Sequence, residues 1–260
     1  MKILLASGCS WTDTKYVSRY HPDLECNWPR WPELLAKKLG MKAINLGLSG
    51  QGFEYIYQSI LRNINIKDIG LVIVGWTKAS RRDYYDWDKK NNKEIWQNAL
   101  WDQYGHNRYF IDRMMMYYYS LQQVCESLGI KYKQVQMINS HESATWYDPD
   151  VHIEENDLTS YVWPQAKGKL LTMKDHYAHM DKHPLYEKIK EENFIGWPGT
   201  RFLGGYNMQS ILEHHNTDIN GDNVSNCFIS KVDKHPNAYG HELMADHLYG
   251  QLNKRKEYYD

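Results

Sequence analysis

The chain has 260 residues, enough for one large domain or two small ones to bury a core without stabilising disulfide bonds. Its 31 Lys and Arg and 32 Asp and Glu residues leave a net charge of -1, so no summed positive field attracts a phosphate backbone. These numbers exclude a small disulfide scaffold and argue against nucleic acid as the main partner.

The cysteines and the N-terminal residues indicate the cellular compartment of the protein. Cys9, Cys26, Cys125 and Cys227 show neither a CxxC pair nor metal-type spacing, which favours free thiols. The apolar run at residues 1–6 is too short for a signal peptide, and nowhere do about 18 apolar residues follow one another. We expect a soluble, cytoplasmic protein with no membrane partner.

Short apolar runs alternate with segments of helical periodicity. The apolar runs, predicted to be buried parallel strands, cover residues 2–6, 42–46, 71–75 and 130–138. The amphipathic segments, predicted to be helices, cover residues 31–39, 53–64, 110–128 and 237–252. This alternation predicts an α/β fold with a doubly wound, mainly parallel sheet.

Two stretches interrupt this alternation, residues 78–107 and 140–205. The first is rich in aromatic and charged residues, and the second is rich in His, Trp and Pro. Structureless loops of that length are usually functional lids or small subdomains. Because the chain has neither an internal repeat nor a low-complexity linker, we predict one domain over residues 1–260 with two insertions.

Residues suited to acyl transfer follow the predicted strands at their carboxyl ends, where open α/β sheets bind ligands. Ser10 follows the first strand, Gly50 closes a glycine-rich turn after the second, and Asp233 and His235 precede the last helix. A serine hydroxyl needs a histidine to take its proton and a carboxylate to orient that imidazole. The backbone N–H groups of Ser10 and Gly50 are candidate donors to the oxyanion.

Three blocks of the sequence resemble the SGNH, or GDSL-type, hydrolases: GCSWT at 8–12, NLGLSG at 45–50 and DKHPN at 233–237. The resemblance implies a flavodoxin-like three-layer α/β/α sandwich that hydrolyses esters, often acetyl groups on sugars or lipids, without a metal or other cofactor. It makes Ser10 the nucleophile, Asp233 the orienting acid and His235 the base. It also makes Gly50 an oxyanion donor through its N–H.

Two positions depart from the pattern of this family. Cys9 stands beside Ser10 where the family usually has aspartate, and Thr77 stands where an asparagine amide usually donates to the oxyanion. The hydroxyl of Thr77 is therefore a candidate third donor, and a residue from one of the insertions is the alternative.

Four further side chains are candidate substrate-binding residues: Trp11, Trp76, Arg81 and Arg82. Aromatic faces suit sugar rings, and guanidinium groups suit carboxylates or phosphates. Ordinary packing or subunit contact is the alternative interpretation. The expected substrate is an acylated carbohydrate or a small ester.

Two other functions stay open at this point. A non-catalytic carbohydrate- or ligand-binding module in the same cleft is favoured by the missing asparagine at position 77. A metal-dependent hydrolase is suggested by His176, His179 and His183, which are spaced to share one helix face. A solvated, His-rich insertion is the alternative interpretation of those three residues.

Overall fold

The computed structural model describes residues 1–88, 90–99, 107–140, 173–216 and 226–253. The strands are β1 (Ile3–Gly8), β2 (Lys42–Asn45), β3 (Ile69–Trp76), β4 (Arg82–Asp88), β5 (Lys93–Ala99), β6 (Tyr132–Gln136) and β7 (Phe194–Ile195). The α-helices are α1 (Trp31–Lys38), α2 (Phe53–Asn63), α3 (Asn107–Ser127), α4 (Met173–Asp181), α5 (Met208–His215) and α6 (Ala238–Asn253). Single 3₁₀ turns cover Tyr186–Lys188, Glu191–Asn193 and Arg201–Leu203.

Five strands form a parallel sheet in the order β2-β1-β3-β6-β7. This is the flavodoxin-like order, in which β1 and β3 are neighbours, β2 lies beyond β1, and the later strands β6 and β7 lie beyond β3. Strands β4 and β5 pair with each other as a separate antiparallel hairpin. The carboxyl ends of the parallel strands therefore meet along one edge, where their following turns come together.

Helices cover both faces of the sheet because successive strand residues point to opposite sides. Leu4 of β1 belongs to a core cluster with Trp31 of α1 and Met244 of α6. Its neighbour Leu5 belongs to a second cluster with Phe53 of α2, which also includes side chains of α3. The result is the expected three-layer α/β/α sandwich.

The four predicted strands and four predicted helices are present, with ends shifted by up to three residues. The first predicted insertion contains the β4–β5 hairpin, and the described part of the second contains α4 and the edge strand β7. Residues 141–172 of the second insertion lie outside the described residues. All four cysteines are buried and free. Among the residues placed by the structure, no helix has the length and apolar character needed to cross a membrane.

Candidate active site

Ser10, His235 and Asp233 form a continuous line of hydrogen-bond contacts. Oγ of Ser10 lies 2.9 Å from Nε2 of His235, and Nδ1 of His235 lies 2.6 Å from Oδ1 of Asp233. Asp233 is 1% exposed and Ser10 is 8% exposed, whereas 30% of the His235 side chain remains open to solvent. A proton on the serine hydroxyl is thus within direct reach of the imidazole.

A tight turn after β1 holds Ser10. The backbone N–H groups of Thr12 and Asp13 donate to the carbonyl of Cys9 over 2.8 and 3.1 Å. Gly8 leaves room for the turn to fold back, because a Cβ there would lie 2.2 Å from Oγ1 of Thr12. The strand therefore ends abruptly, and Ser10 lies at the edge of the sheet.

A second tight turn holds Asp233 and His235 in front of α6. Ser230 donates its backbone N–H to the carbonyl of Asp233 over 3.1 Å, and its Oγ accepts the N–H of Asp233 over 3.0 Å. Asn237 then caps α6, with its Oδ1 accepting the N–H of Gly240 over 2.9 Å. This local sequence fixes the loop backbone independently of the contact with Ser10.

The Asp233 carboxylate accepts hydrogen bonds at both of its oxygens. Oδ2 accepts the hydroxyls of Ser18 and of Tyr16, the latter over 3.0 Å, and Oδ1 accepts the backbone N–H of His235 over 3.1 Å. Burial alone would raise the pKa of this carboxyl, but the hydrogen bonds from Ser18 and His235 outweigh burial and lower it. Asp233 is therefore held as the anion, which favours a proton on Nδ1 of His235.

His235 is held as a neutral imidazole, the form that can accept a proton. Burial lowers its pKa, and the hydrogen bond and charge of Asp233 oppose that shift without cancelling it. The ring of Tyr16 stacks on the imidazole at 4.0 Å, with its hydroxyl 2.8 Å from Nδ1. Burial and the bond to Asp233 raise the pKa of Tyr16, so its hydroxyl keeps the proton that it donates.

The turn that carries Gly50 is tied to the turn that carries the serine. The N–H of Leu48 donates to the carbonyl of Gly8 over 3.0 Å. Oδ2 of Asp13 accepts both the N–H and the Oγ of Ser49, over 2.9 and 2.6 Å. Gly50 has φ of +79°, a left-handed conformation that favours glycine. The hydroxyl of Ser49 is thus engaged with a carboxylate rather than with an imidazole.

Thr77 follows β3 at the same edge of the sheet, but its side chain is fully enclosed. Its carbonyl accepts Nε2 of Gln136 over 2.7 Å, while its Oγ1 has no hydrogen-bond partner among the described residues. A substrate carbonyl reaches an enclosed hydroxyl only if the surrounding side chains move.

Trp11 and Trp76 lie in the core, which differs from their expected role in substrate binding. Trp76 is fully buried, stacks on Phe53 at 4.8 Å and donates its Nε1 to Oε1 of Gln134 over 2.9 Å. Trp11 is 4% exposed and packs against Phe228. Neither ring offers a face to a sugar, because both are enclosed by other side chains.

Arg81 and Arg82 diverge although they are neighbours. Nη1 of Arg81 lies 3.4 Å from the carbonyl oxygen of Gln51, and its charge helps to lower the pKa of His235. Arg82 instead donates to the hydroxyl of Tyr109 over 2.8 Å and lines a cavity of about 600 Å³ against α3. Ser10, His235 and Asp233 do not line that cavity, so the two arginines lie at different sites.

His179 of α4 and His183, which follows the end of α4, face Asp112 of α3. Nε2 of His179 and of His183 lie 2.7 and 3.5 Å from Oδ1 of Asp112. Nδ1 of His183 accepts the N–H of Leu185 over 3.1 Å, so its Nε2 carries the proton and is not free to bind a metal. The described residues contain no group of three His, Cys, Asp or Glu side chains able to hold a metal ion. The side chain of His176 lies outside the described part.

Sequence analysis missed the residues that surround the aligned side chains. Tyr16 and Ser18 contact Asp233, and Arg30 donates to the carbonyl oxygens of Asp13 and of Cys26, both over 2.9 Å. They come from the irregular segment between β1 and α1, which has no periodicity and no spacing that signals a site. A polar segment directly after the candidate nucleophile was the one available hint.

Comparison with known proteins finds similarity in structure. No protein-family model matches the sequence, and no curated protein matches it. A protein assigned to the G-D-S-L lipolytic family from Desulfitobacterium hafniense is similar with a TM-score of 0.51 at 11% identity, covering 96% of this chain and 99% of that one. The psychrotrophic esterase EstA from Pseudoalteromonas sp. gives 0.48 at 10% identity, covering 99% and 100%. An acetyl xylan esterase gives 0.46 at 13% identity, covering 96% and 98%.

These identities are low, so the likeness concerns the fold. The three-layer α/β/α architecture is one that this chain has in common with a lipolytic protein of the G-D-S-L family. The fold that the resemblance in sequence implies is thereby confirmed.

Proposed function

We propose that the protein is a serine ester hydrolase with Ser10 as nucleophile, His235 as general base and Asp233 as the residue that orients and stabilises the imidazole. The observation that carries this proposal is the pair of contacts at His235, 2.9 Å to Oγ of Ser10 and 2.6 Å to Oδ1 of Asp233. A serine hydroxyl in contact with a neutral imidazole, itself bonded to a buried carboxylate, has the arrangement that nucleophilic acyl transfer needs.

The proposed reaction has two halves. Nε2 of His235 takes the proton of Ser10 as Oγ adds to the ester carbonyl, and the imidazolium then protonates the departing alkoxide, which leaves an acyl-serine. Water, deprotonated by the same nitrogen, adds to the acyl-serine. The acid departs and Ser10 regains its proton.

Donors to the oxyanion come from the two turns at the sheet edge. We assign this role to the backbone N–H groups of Ser10 and Gly50, because the Asp13–Ser49 hydrogen bonds hold these turns together. The hydroxyl of Thr77 serves as a third donor only if it leaves its enclosed position. Each preorganised donor stabilises the transition state by about 3 kcal/mol.

The substrate class is an ester that approaches from the open side of His235. Short acyl groups such as acetyl suit the proposal, on an acylated carbohydrate or a small alcohol. Fold similarity to a G-D-S-L lipolytic protein supports ester chemistry. With Trp11 and Trp76 in the core, neither of these rings is available to bind a sugar.

Turnover of p-nitrophenyl acetate tests the proposal. We expect the wild-type chain to hydrolyse it, Ser10→Ala to lose at least about 10³-fold in kcat, and Ser127→Ala to match the wild type. Ser127 is the matched control because its hydroxyl is exposed on α3 and bonds its own helix.

Other outcomes would contradict the proposal. Hydrolysis that survives Ser10→Ala and disappears with a chelator would favour the metal-dependent alternative. A folded wild-type chain that hydrolyses no short ester from acidic to alkaline pH would favour a binding module.

A further inference from the structure

Arg81 lies beside the turn that carries Gly50 and is held there by its own loop. Arg113 of α3 donates Nη2 to the carbonyl oxygens of Ala79, over 3.1 Å, and of Arg81. Both donors come from one guanidinium, so they fix the backbone of residues 79–81 against α3. The base of the Arg81 side chain is therefore anchored.

The same loop packs closely on the turn that carries Gly50. A Cβ on Gly52 would lie 2.8 Å from the carbonyl oxygen of Arg81 and 3.0 Å from its Cβ, so the glycine permits the contact. Asp83 ties the loop to the start of α2, because its Oδ2 accepts the N–H groups of Gly52 and Tyr55 over 2.9 and 2.6 Å. From this base, the Arg81 guanidinium reaches the carbonyl of Gln51, next to Gly50.

The Arg81 guanidinium has few hydrogen-bond partners among the described residues. Its charge is one of those that lower the pKa of His235, so the two groups interact electrostatically. Among the described residues, its hydrogen bonding is limited to one long contact, 3.4 Å to the carbonyl of Gln51. No carboxylate of the described residues lies within ion-pair distance of it, and the nearby Asp83 accepts two backbone N–H groups instead.

A half-buried guanidinium with donors that no described residue uses can bind an anion that enters the site. The planar fork of an arginine matches the two oxygens of a carboxylate or the oxygens of a phosphate. The site gains most from such an anion when it belongs to the substrate, because the anion would then anchor the ester beside Ser10.

We propose that Arg81 binds an anionic group of the substrate, so that the natural ester carries a carboxylate or a phosphate close to its acyl bond. This inference rests on the proposed function of the same site. Arg81 would act as a specificity-determining residue, and its effect would appear chiefly in KM for the charged substrate.

Three acetyl esters that differ in one substituent test the proposal: 4-acetoxybenzamide, 4-acetoxybenzoate and 4-acetoxyphenyl phosphate. Wild-type protein should prefer one charged ester over the neutral one by about 10- to 100-fold in kcat/KM, through a lower KM, as a charge-assisted hydrogen bond implies. Arg81→Gln should abolish this preference, and Arg81→Lys should keep part of it. Arg108→Gln, which removes an exposed cation of α3, is the control that should keep the preference. The better charged ester identifies the anion as carboxylate or phosphate.

Three results would overturn the inference: wild-type protein that does not distinguish the esters, a preference that persists in Arg81→Gln, or an Arg81→Gln variant that slows all three esters in proportion. The last result would mark Arg81 as a structural support of the Gly50 turn. Labelling of Ser10 by a fluorophosphonate keeps the two proposals apart. If Ser10 is labelled and charge has no effect, the inference about Arg81 is wrong and the hydrolase proposal stands, whereas an unlabelled Ser10 refutes both.

Discussion

Replacing Asp233 by asparagine should abolish nearly all activity, because neither orientation of an amide fits the donors around this carboxylate. Oδ1 accepts the backbone N–H and the Nδ1–H of His235, and Oδ2 accepts the hydroxyls of Ser18 and Tyr16. The Ser18 hydroxyl cannot reverse its role, since its oxygen already accepts the N–H groups of Tyr20 and His21 over 3.2 and 3.0 Å. An asparagine therefore has to direct its NH₂ group at a donor.

The favoured compromise leaves the amide oxygen on Ser18 and turns the NH₂ group toward Nδ1 of His235. The proton of the imidazole then moves to Nε2, which loses its ability to accept the proton of Ser10. A wrong tautomer of this kind costs about 10⁴-fold in kcat, or about 5.5 kcal/mol of transition-state stabilisation.

Removing the Ser18 hydroxyl should partly rescue the Asp233→Asn variant. In Asp233→Asn/Ser18→Ala, the NH₂ group can occupy the space that the Ser18 hydroxyl leaves and donate to the oxygen of Tyr16, whose O–H can rotate away. The amide oxygen then accepts Nδ1–H of His235. The negative charge of the carboxylate is still missing, and its loss costs about 1.5–3 kcal/mol of transition-state stabilisation. Activity should therefore stay about 10- to 100-fold below wild type.

Rates of p-nitrophenyl acetate hydrolysis at about pH 8, where His235 is neutral, give the comparison. The double variant should exceed Asp233→Asn by about 100-fold or more. Asp233→Asn/Ser127→Ala is the matched control and should show no rescue, because Ser127 lies on α3. A double variant no faster than Asp233→Asn would refute the tautomer argument, as would Asp233→Asn with nearly wild-type activity.

Three further outcomes follow from the same geometry. Burial lowers the pKa of His235, and the proposed base must be neutral, so kcat/KM should fall with decreasing pH around a midpoint below about 6.5. A midpoint above that value in a pH–rate profile would contradict the lowered pKa. Thr77→Val should leave the unfolding midpoint unchanged or raise it, because the Thr77 hydroxyl is enclosed without a partner among the described residues. A clear fall in the midpoint would show that this hydroxyl makes a hydrogen bond. Gly50→Ala should lower the free energy of unfolding in urea by about 1 kcal/mol or more and should lower kcat, because φ is +79° at this position. Unchanged stability and kcat would mean that a Cβ does not strain the turn.

The sheet and its covering helices could be predicted from the sequence because their signals are local. A fully buried parallel strand such as β3 is a continuous apolar run, and helices such as α2 keep one apolar stripe. Strand β7 could not be predicted, since Phe194–Ile195 is too short to show any period. The β4–β5 hairpin carries charged and aromatic residues on both faces, so its alternation is weak.

Part of the candidate site could also be predicted, because the carboxyl ends of parallel strands meet at one edge. Ser10 and His235 are 225 positions apart and lie in contact, as their places after β1 and before α6 require. The supporting contacts of Tyr16 and Ser18 depend on how one irregular loop folds back, which no local pattern encodes. Trp76 shows the converse limit, since residue type alone does not say whether a ring points into the core.

Covalent labelling of the native chain with a fluorophosphonate, followed by mass analysis and peptide mapping, tests the central claim most directly. The contact between Ser10 and His235 predicts one label per chain, located on Ser10, with no label in Ser10→Ala and much slower labelling in His235→Ala. A folded chain that takes no label, or that is labelled at another residue, would contradict the assignment of Ser10 as the activated nucleophile.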